Sequence, residues 1–263
     1  MLMLTHTYLL QKAMTASSKS RIDPDIYIYN IAPDLLSIHP DISAMQTHSI
    51  GRFVSAPANH ARSAYIMFHL LVDDLAHYGR ISMACPDEGF NPDASGYSYI
   101  KGRPFIEDLL SLHKMISKEI TYNEAAYRSH LIIEMLYDLA ILPHLRNAGS
   151  MDLLEEAIQF VRYHREGEFC SEISWLYGFQ AGSVREVLKQ ASAYITKTRM
   201  EKIMNVEGRI RLFTDKFGLR SDYSVFQDTL RCLFEDALQS VGNDDFIEQT
   251  SLSVKESGWL PTD

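Results

Sequence analysis

His69, Asp73 and His77, in "FHLLVDDLAHYG", stand four positions apart. On an α-helix that step stacks successive side chains along one face, so two imidazoles and a carboxylate point the same way. A second pair with the same step, His130 and Glu134, lies in "SHLIIEMLYDLA". Three more metal-capable residues come earlier: His6 in "LTHTYLL", Asp34 in "NIAPDLL" and His48 in "QTHSIGRF". Imidazole and carboxylate together suit zinc or a neighbouring divalent transition metal. Both helical motifs have strongly apolar flanks, which turns their polar residues inward, where an uncompensated carboxylate is costly and needs a cation or strong donors. For either motif alone the plain alternative is a surface pair or a satisfied polar group at the core's edge.

The elements that must carry these residues read as helices. Apolar Ala61, Ala64, Tyr65, Phe68, Val72 and Leu75 recur at steps of three and four, predicting an amphipathic helix over 60–78. "TYNE" at Thr121 to Glu124 is a capping box that starts a helix running to about Leu142, before Pro143. "SVRE" at Ser183 to Glu186 repeats that signal, and Phe226, Leu230, Leu233, Phe234, Ala237 and Leu238 mark a late amphipathic helix. "IYIYN" at Ile26 to Asn30 has the β-branched and aromatic content of a short strand. The one long connector, Ile81 to Pro104, holds three prolines and three glycines. Following His77 closely, it is placed either to line the site or to serve as a plain solvent loop. The expected fold is all-α, one domain over 1–263, with a ligand-bearing half at 1–149 and a helical half at 150–263.

Composition sets limits on function. With 263 residues and 46% hydrophobic content the chain can build a sizeable core without staples. Its three cysteines, Cys85, Cys170 and Cys232, are too scattered for a disulfide framework or a zinc knuckle. The first residues lack a basic segment and a small-residue cleavage site, and no apolar run reaches the length of a membrane span, so a cytoplasmic chain without a transmembrane segment is expected. A formal net charge of −9 argues against an extended nucleic-acid surface, while a small phosphate ligand neutralised by metal ions stays open.

In order and spacing the eight residues resemble the zinc-dependent phospholipase C and single-strand-specific zinc nuclease family, all-α enzymes with a three-zinc cluster. The likeness covers about residues 5 to 140: an early His6, then Asp34, His48 fourteen residues later, His69 with Asp73, His77, and finally His130 with Glu134. It implies one zinc on Asp34, His48, His69 and Asp73, a second on His77, His130 and Glu134, and a third on His6 with Asp73 bridging. It further implies hydrolysis of a small-molecule phosphate ester, phosphodiesterase-like, by a metal-activated water, with Asp34 both ligand and catalytic base. Two departures from the secreted enzymes stand out: the closer spacing of His77 to Asp73, which fits one continuous helix, and the long segment before His130, which points to a different substrate pocket.

Other residues carry less. His39 and Asp41 lie between two proposed ligands and are alternatives to Asp34. Asp74 points about 100° away from Asp73 and reads as a surface charge or the partner of a basic residue. Asp138 continues the Glu134 stripe and is placed either to orient His130 or His77 or to take a plain surface role. Arg52 and Arg80 are placed to hold a phosphate oxygen, or to form surface salt bridges. His60, His113, His144 and His164 have no matching neighbours, and the acidic residues around His164 do not converge with it. No serine-hydrolase elbow, phosphate-binding loop, dinucleotide fingerprint or His-Asp dipeptide is present. The rival reading is a helical binding module with a structural or regulatory metal and no catalysis.

Overall fold

The computed structural model describes residues 2–15, 23–82, 95–219, 223–241 and 245–259. The first helices are α1 (Met3–Thr15), α2 (Ile26–Asn30), α3 (Ala32–Leu36), α4 (Ala44–His48), α5 (Ser63–Tyr78), α6 (Tyr97–Gly102), α7 (Ile106–Met115) and α8 (Tyr122–Ala140). Then come α9 (Leu142–Asn147), α10 (Ser150–His164), α11 (Glu166–Tyr177), α12 (Ala181–Tyr194), α13 (Lys197–Ile203), α14 (Val206–Phe217), α15 (Ser224–Ser240) and α16 (Phe246–Glu256). The fold is all-α, with no strand among the described residues, and none of the described helices is long and apolar enough to cross a membrane.

α5 is the central helix. Ile66, Phe68, Leu70, Leu71 and Val72 cover every side of it and are all buried, so it is wrapped by neighbours, with α2, α6 and α16 packed against it. Its start has no local side-chain cap. Instead Glu172, on α11, accepts the Ser63 amide at 2.5 Å, satisfying one of the orphan donors of the first turn. Gly79, at φ 69°, ends the helix in the left-handed conformation, with its amide donating to the Leu75 carbonyl.

α8 starts as the sequence predicts. The Thr121 amide donates to Glu124 Oε2 at 2.8 Å and the Glu124 amide to Thr121 Oγ1 at 3.2 Å. Pro143 lies in the first turn of α9, where its missing N–H costs nothing. The late amphipathic helix is α15.

Three expectations are corrected. "IYIYN" is helical: α2 is wholly buried between α5 and α10, where no strand edge offers a partner, and packing overrides its β propensity. α12 begins at Ala181, so Ser183 lies inside its first turn and is not its cap. Residues 97–105 of the long connector are helical, as α6 and a 3-10 turn at Arg103–Phe105; residues 83–94 lie outside the described ones. Helices on the two sides of Ser150 share a core, since α10 packs on α1 and α2, α12 on α3, and both α14 and α15 on α8.

Candidate metal centre

Four segments deliver the eight donors. α5 carries His69, Asp73 and His77 on one face, α8 carries His130 and Glu134, α1 carries His6, and the α3 and α4 pair carries Asp34 and His48. They fall into three groups: His6, His69 and Asp73; Asp34, His48 and His69; and His77, His130 and Glu134, with the donor atoms of each group within 4.8 Å of one another.

The first two groups meet at Asp73. His48 Nε2 and His69 Nε2 lie 3.2 and 3.3 Å from its Oδ2, and His6 Nε2 lies 3.2 Å from its Oδ1. Asp34 Oδ1 completes the set, 3.6 Å from His48 Nε2 and 3.9 Å from His69 Nε2. Neighbouring donors on a tetrahedral ion with bonds of roughly 2.0–2.1 Å stand about 3.3 Å apart, so these separations suit a shared cation. His6 and His69 stack, ring centres 3.7 Å apart, and both are fully buried.

Hydrogen bonding within the group is incomplete. Both ring nitrogens of His6 and of His69, and Nδ1 of His130, are buried without a hydrogen-bond partner among the described residues, although Asp73 is within charge range of the first two rings. An unsatisfied buried polar atom costs about 1–3 kcal/mol, and one with a free lone pair aimed at a carboxylate fits a cation between them. His48 is oriented differently: its Nδ1 donates to the Ala44 carbonyl at 2.8 Å, which turns Nε2 toward Asp34 and Asp73.

Protonation follows from these contacts. Burial, together with His69, lowers His6 to about 4, and burial lowers His130 to about 3, so both are neutral and ligand-ready at pH 7. Burial also lowers His48, but the facing carboxylates of Asp34 and Asp73 outweigh it and hold that imidazole up at about 10. Although burial would raise Asp73, nearby His69, His48 and His6 keep it well below the ordinary carboxylate range. Asp34 is lowered in the same way, with His69 and His48 overcoming its burial.

The third group lies one turn further along α5. His77 Nε2 is 2.7 Å from Glu134 Oε1, and the His77 and His130 rings are perpendicular, 5.4 Å apart. His130 stacks on Tyr99 of α6 at 4.4 Å. α6 wedges between α5 and α8 at this group. A Cβ on Gly96 would meet the His77 carbonyl carbon at 2.1 Å, and one on Gly102 would meet the His130 backbone nitrogen at 3.0 Å. Solvent reaches the donors at three residues: the side chains of His48, Asp34 and His77 are 24%, 26% and 24% exposed.

The supporting residues depart from expectation in part: the ion pairing expected of Arg52 and Asp74 is present, but buried. Arg52 is committed: its fork takes both oxygens of Asp74 at 2.7 and 3.1 Å, and Nη1 donates to the His48 and Ile50 carbonyls. Asp74 is therefore the buried partner of a basic residue and not a surface charge. Arg80 is exposed and forms no ion pair among the described residues. Asp138 touches neither His130 nor His77; it accepts from the Thr5 amide and hydroxyl, at 3.1 and 2.6 Å, and from Arg209 at 3.1 Å.

His39 and Asp41 pair with each other outside the three groups. His60 is buried on Glu172 and stacks on Trp175, His113 bonds Arg128 and the Lys118 carbonyl, and His144 and His164 are exposed. Arg209, Glu172 and Tyr99 carry no signal in the sequence, because each acts through a partner far along the chain. The glycines flanking α6 are the one local sign of that close packing. A cavity of about 690 Å³ lies away from all eight donors, between Asp23, Tyr27, Phe160 and Arg165. Comparisons with protein-family models, curated proteins and solved structures give no match for this chain, so its site is read from its own chemistry.

Proposed function

We propose that the protein is a metal-dependent hydrolase of a phosphate ester, using zinc or a neighbouring divalent transition metal. The observation that carries this reading is the convergence of eight imidazole and carboxylate groups, several buried without hydrogen-bond partners among the described residues, on a locus that solvent reaches at Asp34, His48 and His77. A catalytic metal centre needs an open position, whereas a structural one is closed by protein ligands. Bound there, such ions supply Lewis acidity: they lower the pKa of water toward neutrality and neutralise charge on phosphoryl oxygens.

The residues divide the work. Asp34, His48, His69 and one oxygen of Asp73 would hold one ion, and His77, His130 and Glu134 a second. His6 with the other Asp73 oxygen would hold a third, following the resemblance to the zinc phospholipase C and nuclease family. Asp34, ionised and partly exposed, is the residue placed to take a proton from attacking water. Arg52 and Asp74 hold the carbonyl end of α4, which keeps His48 in place. The substrate is a small-molecule phosphate ester, since the chain's net charge of −9 disfavours an extended polyanion.

One observation favours a structural role for part of the centre: the His6, His69 and Asp73 group is buried throughout. An ion there would brace α1 against α5 while the other two groups face the substrate.

Metal analysis of purified protein combined with assays on chromogenic phosphodiesters and monoesters tests the reading. Two or three ions per chain and turnover that falls with Asp34→Asn support it. A folded, metal-free protein that takes up no zinc overturns it. A loaded protein inert on both ester classes leaves a helical binding module with a structural metal.

A further inference from the structure

Asp138 lies on α8, one turn beyond Glu134 and two beyond His130, but it faces a different task. Its Oδ1 accepts the Thr5 amide at 3.1 Å and the Thr5 hydroxyl at 2.6 Å. Thr5 lies in the first turn of α1, where amides have no partner within the helix, so Asp138 caps α1 from another segment. The next residue is His6, whose ring stacks on His69 and faces Asp73. The other carboxylate oxygen, Oδ2, accepts from Arg209 Nη2 at 3.1 Å. Arg209 and Asp138 are each 2% exposed.

Arg209 is anchored on its own side. α14 is capped by Asn205, whose Oδ1 accepts the Gly208 amide at 2.8 Å, and Arg209 Nη2 also contacts Met204 Sδ at 2.7 Å. A short path of direct contacts therefore runs from the C-terminal helices to the donors: Arg209, Asp138, Thr5, His6. A buried carboxylate that lost its guanidinium would be left as an uncompensated charge that must take up a proton or shift, and either response loosens its hold on the α1 start.

We infer that Arg209 is a remote positioning residue for His6: through Asp138 and Thr5, the C-terminal half sets the seat of the innermost metal-ligand group. This rests on the metal reading above, and it assigns the helices after Ser150 a part in the centre. The contact with Asp138 is a single bond and not a fork, so lysine can replace it in part, while methionine keeps the bulk and removes the charge.

The test compares Arg209→Met, Arg209→Lys and Thr5→Val in the full chain, reading zinc per chain and zinc affinity together with melting temperature. Arg209→Met should weaken one ion by on the order of tenfold or more, as loss of a group that orients a ligand typically does. The ion on His77, His130 and Glu134 should be unchanged. Arg209→Lys should recover most of the loss, and Thr5→Val, which leaves the ion pair intact, should weaken the same ion. Added to His6→Ala, Arg209→Met should have no further effect on zinc, because both act on one seat.

Wild-type zinc binding in Arg209→Met, whatever happens to its melting temperature, overturns the inference and leaves the metal reading standing. So does an effect that adds fully to that of His6→Ala. If the wild-type protein binds no zinc, the metal reading fails. The positioning claim is then decided by the His6 and His69 ring resonances of the metal-free protein. Their movement in both Arg209→Met and Thr5→Val, with those of His130 unmoved, supports it, and unmoved His6 signals overturn it.

Discussion

His69 Nε2 stands 3.3 Å from Asp73 Oδ2, one helical turn away, and makes no hydrogen bond among the described residues. The two groups are close enough to attract yet aim past each other, as two ligands of one ion do. His69 also belongs to two of the three donor groups, whereas His77 belongs to one. His69→Ala should therefore strip more zinc from the protein than His77→Ala. Mass-spectrometric metal counts on dialysed variants check the order, and equal losses would contradict the sharing.

Zinc should stabilise the wild-type protein through mass action. At free zinc about a hundredfold above Kd the gain is about 2.7 kcal/mol per site, and a chelator should remove it. Thermal melts with zinc and with chelator read this directly, and Asp73→Asn should blunt the difference.

The metal-free protein should weaken on both sides of neutrality. His48, at about 10, lies above its ordinary value of 6.5, so its stabilisation is complete below pH 6.5 and is lost as pH rises through 10. His6 and His130, at about 4 and 3, lie below that value, so their contribution is complete above pH 6.5 and is lost as pH falls toward 3. Binding zinc must expel the His48 proton, so affinity should rise with pH from 6.5 toward 10. Calorimetry in buffers of different ionisation heat should show about one proton released near pH 8. His48→Gln should abolish both the release and the alkaline loss.

Breaking the Arg52 and Asp74 fork should be expensive. Removing one partner of a buried pair costs about 3–5 kcal/mol, because the survivor keeps its charge without compensation. Arg52→Met should show a loss of that order in urea unfolding. It should also loosen zinc, since the same guanidinium holds the His48 carbonyl.

Gly96→Ala should disturb the His77 group selectively. The new Cβ would fall 2.1 Å from the His77 carbonyl carbon, and relieving such overpacking costs about 1–3 kcal/mol. The expected signature is loss of the ion on His77, His130 and Glu134 with the Asp73 ions retained, read by metal count and melting temperature.

Local patterns in the sequence foretell a good deal of this arrangement. The apolar steps of α5, the Thr121 capping box and the apolar stripe of α15 are short-range signals, and the structure has those helices. Five of the eight candidate donors are legible for the same reason, since a four-residue step on a helix fixes a shared face before any packing is known, whereas His6, Asp34 and His48 carry no such step. What stays hidden depends on packing. α2 looks like a strand because five residues carry too little periodicity to overrule their composition. Arg52 looks available for a phosphate because nothing near it in the chain reveals that Asp74, 22 residues on, is turned toward it. Arg209 sits 71 residues from Asp138, and no local pattern links them.

Glu172 at the first turn of α5 has one more consequence. A shift of a helix by one residue against its neighbours turns the face it presents by about 100°, so the anchoring of α5 bears on which way His69, Asp73 and His77 face. By accepting the Ser63 amide, Glu172 fixes the angular phase of the helix that carries those three donors. Slippage by a single residue there would swing His69 and Asp73 together away from His6 and His48 and turn Asp74 toward those two imidazoles. Neighbouring and chemically identical, the two aspartates are kept in their separate roles by the Arg52 fork on Asp74 and by a carboxylate 109 residues downstream of Ser63.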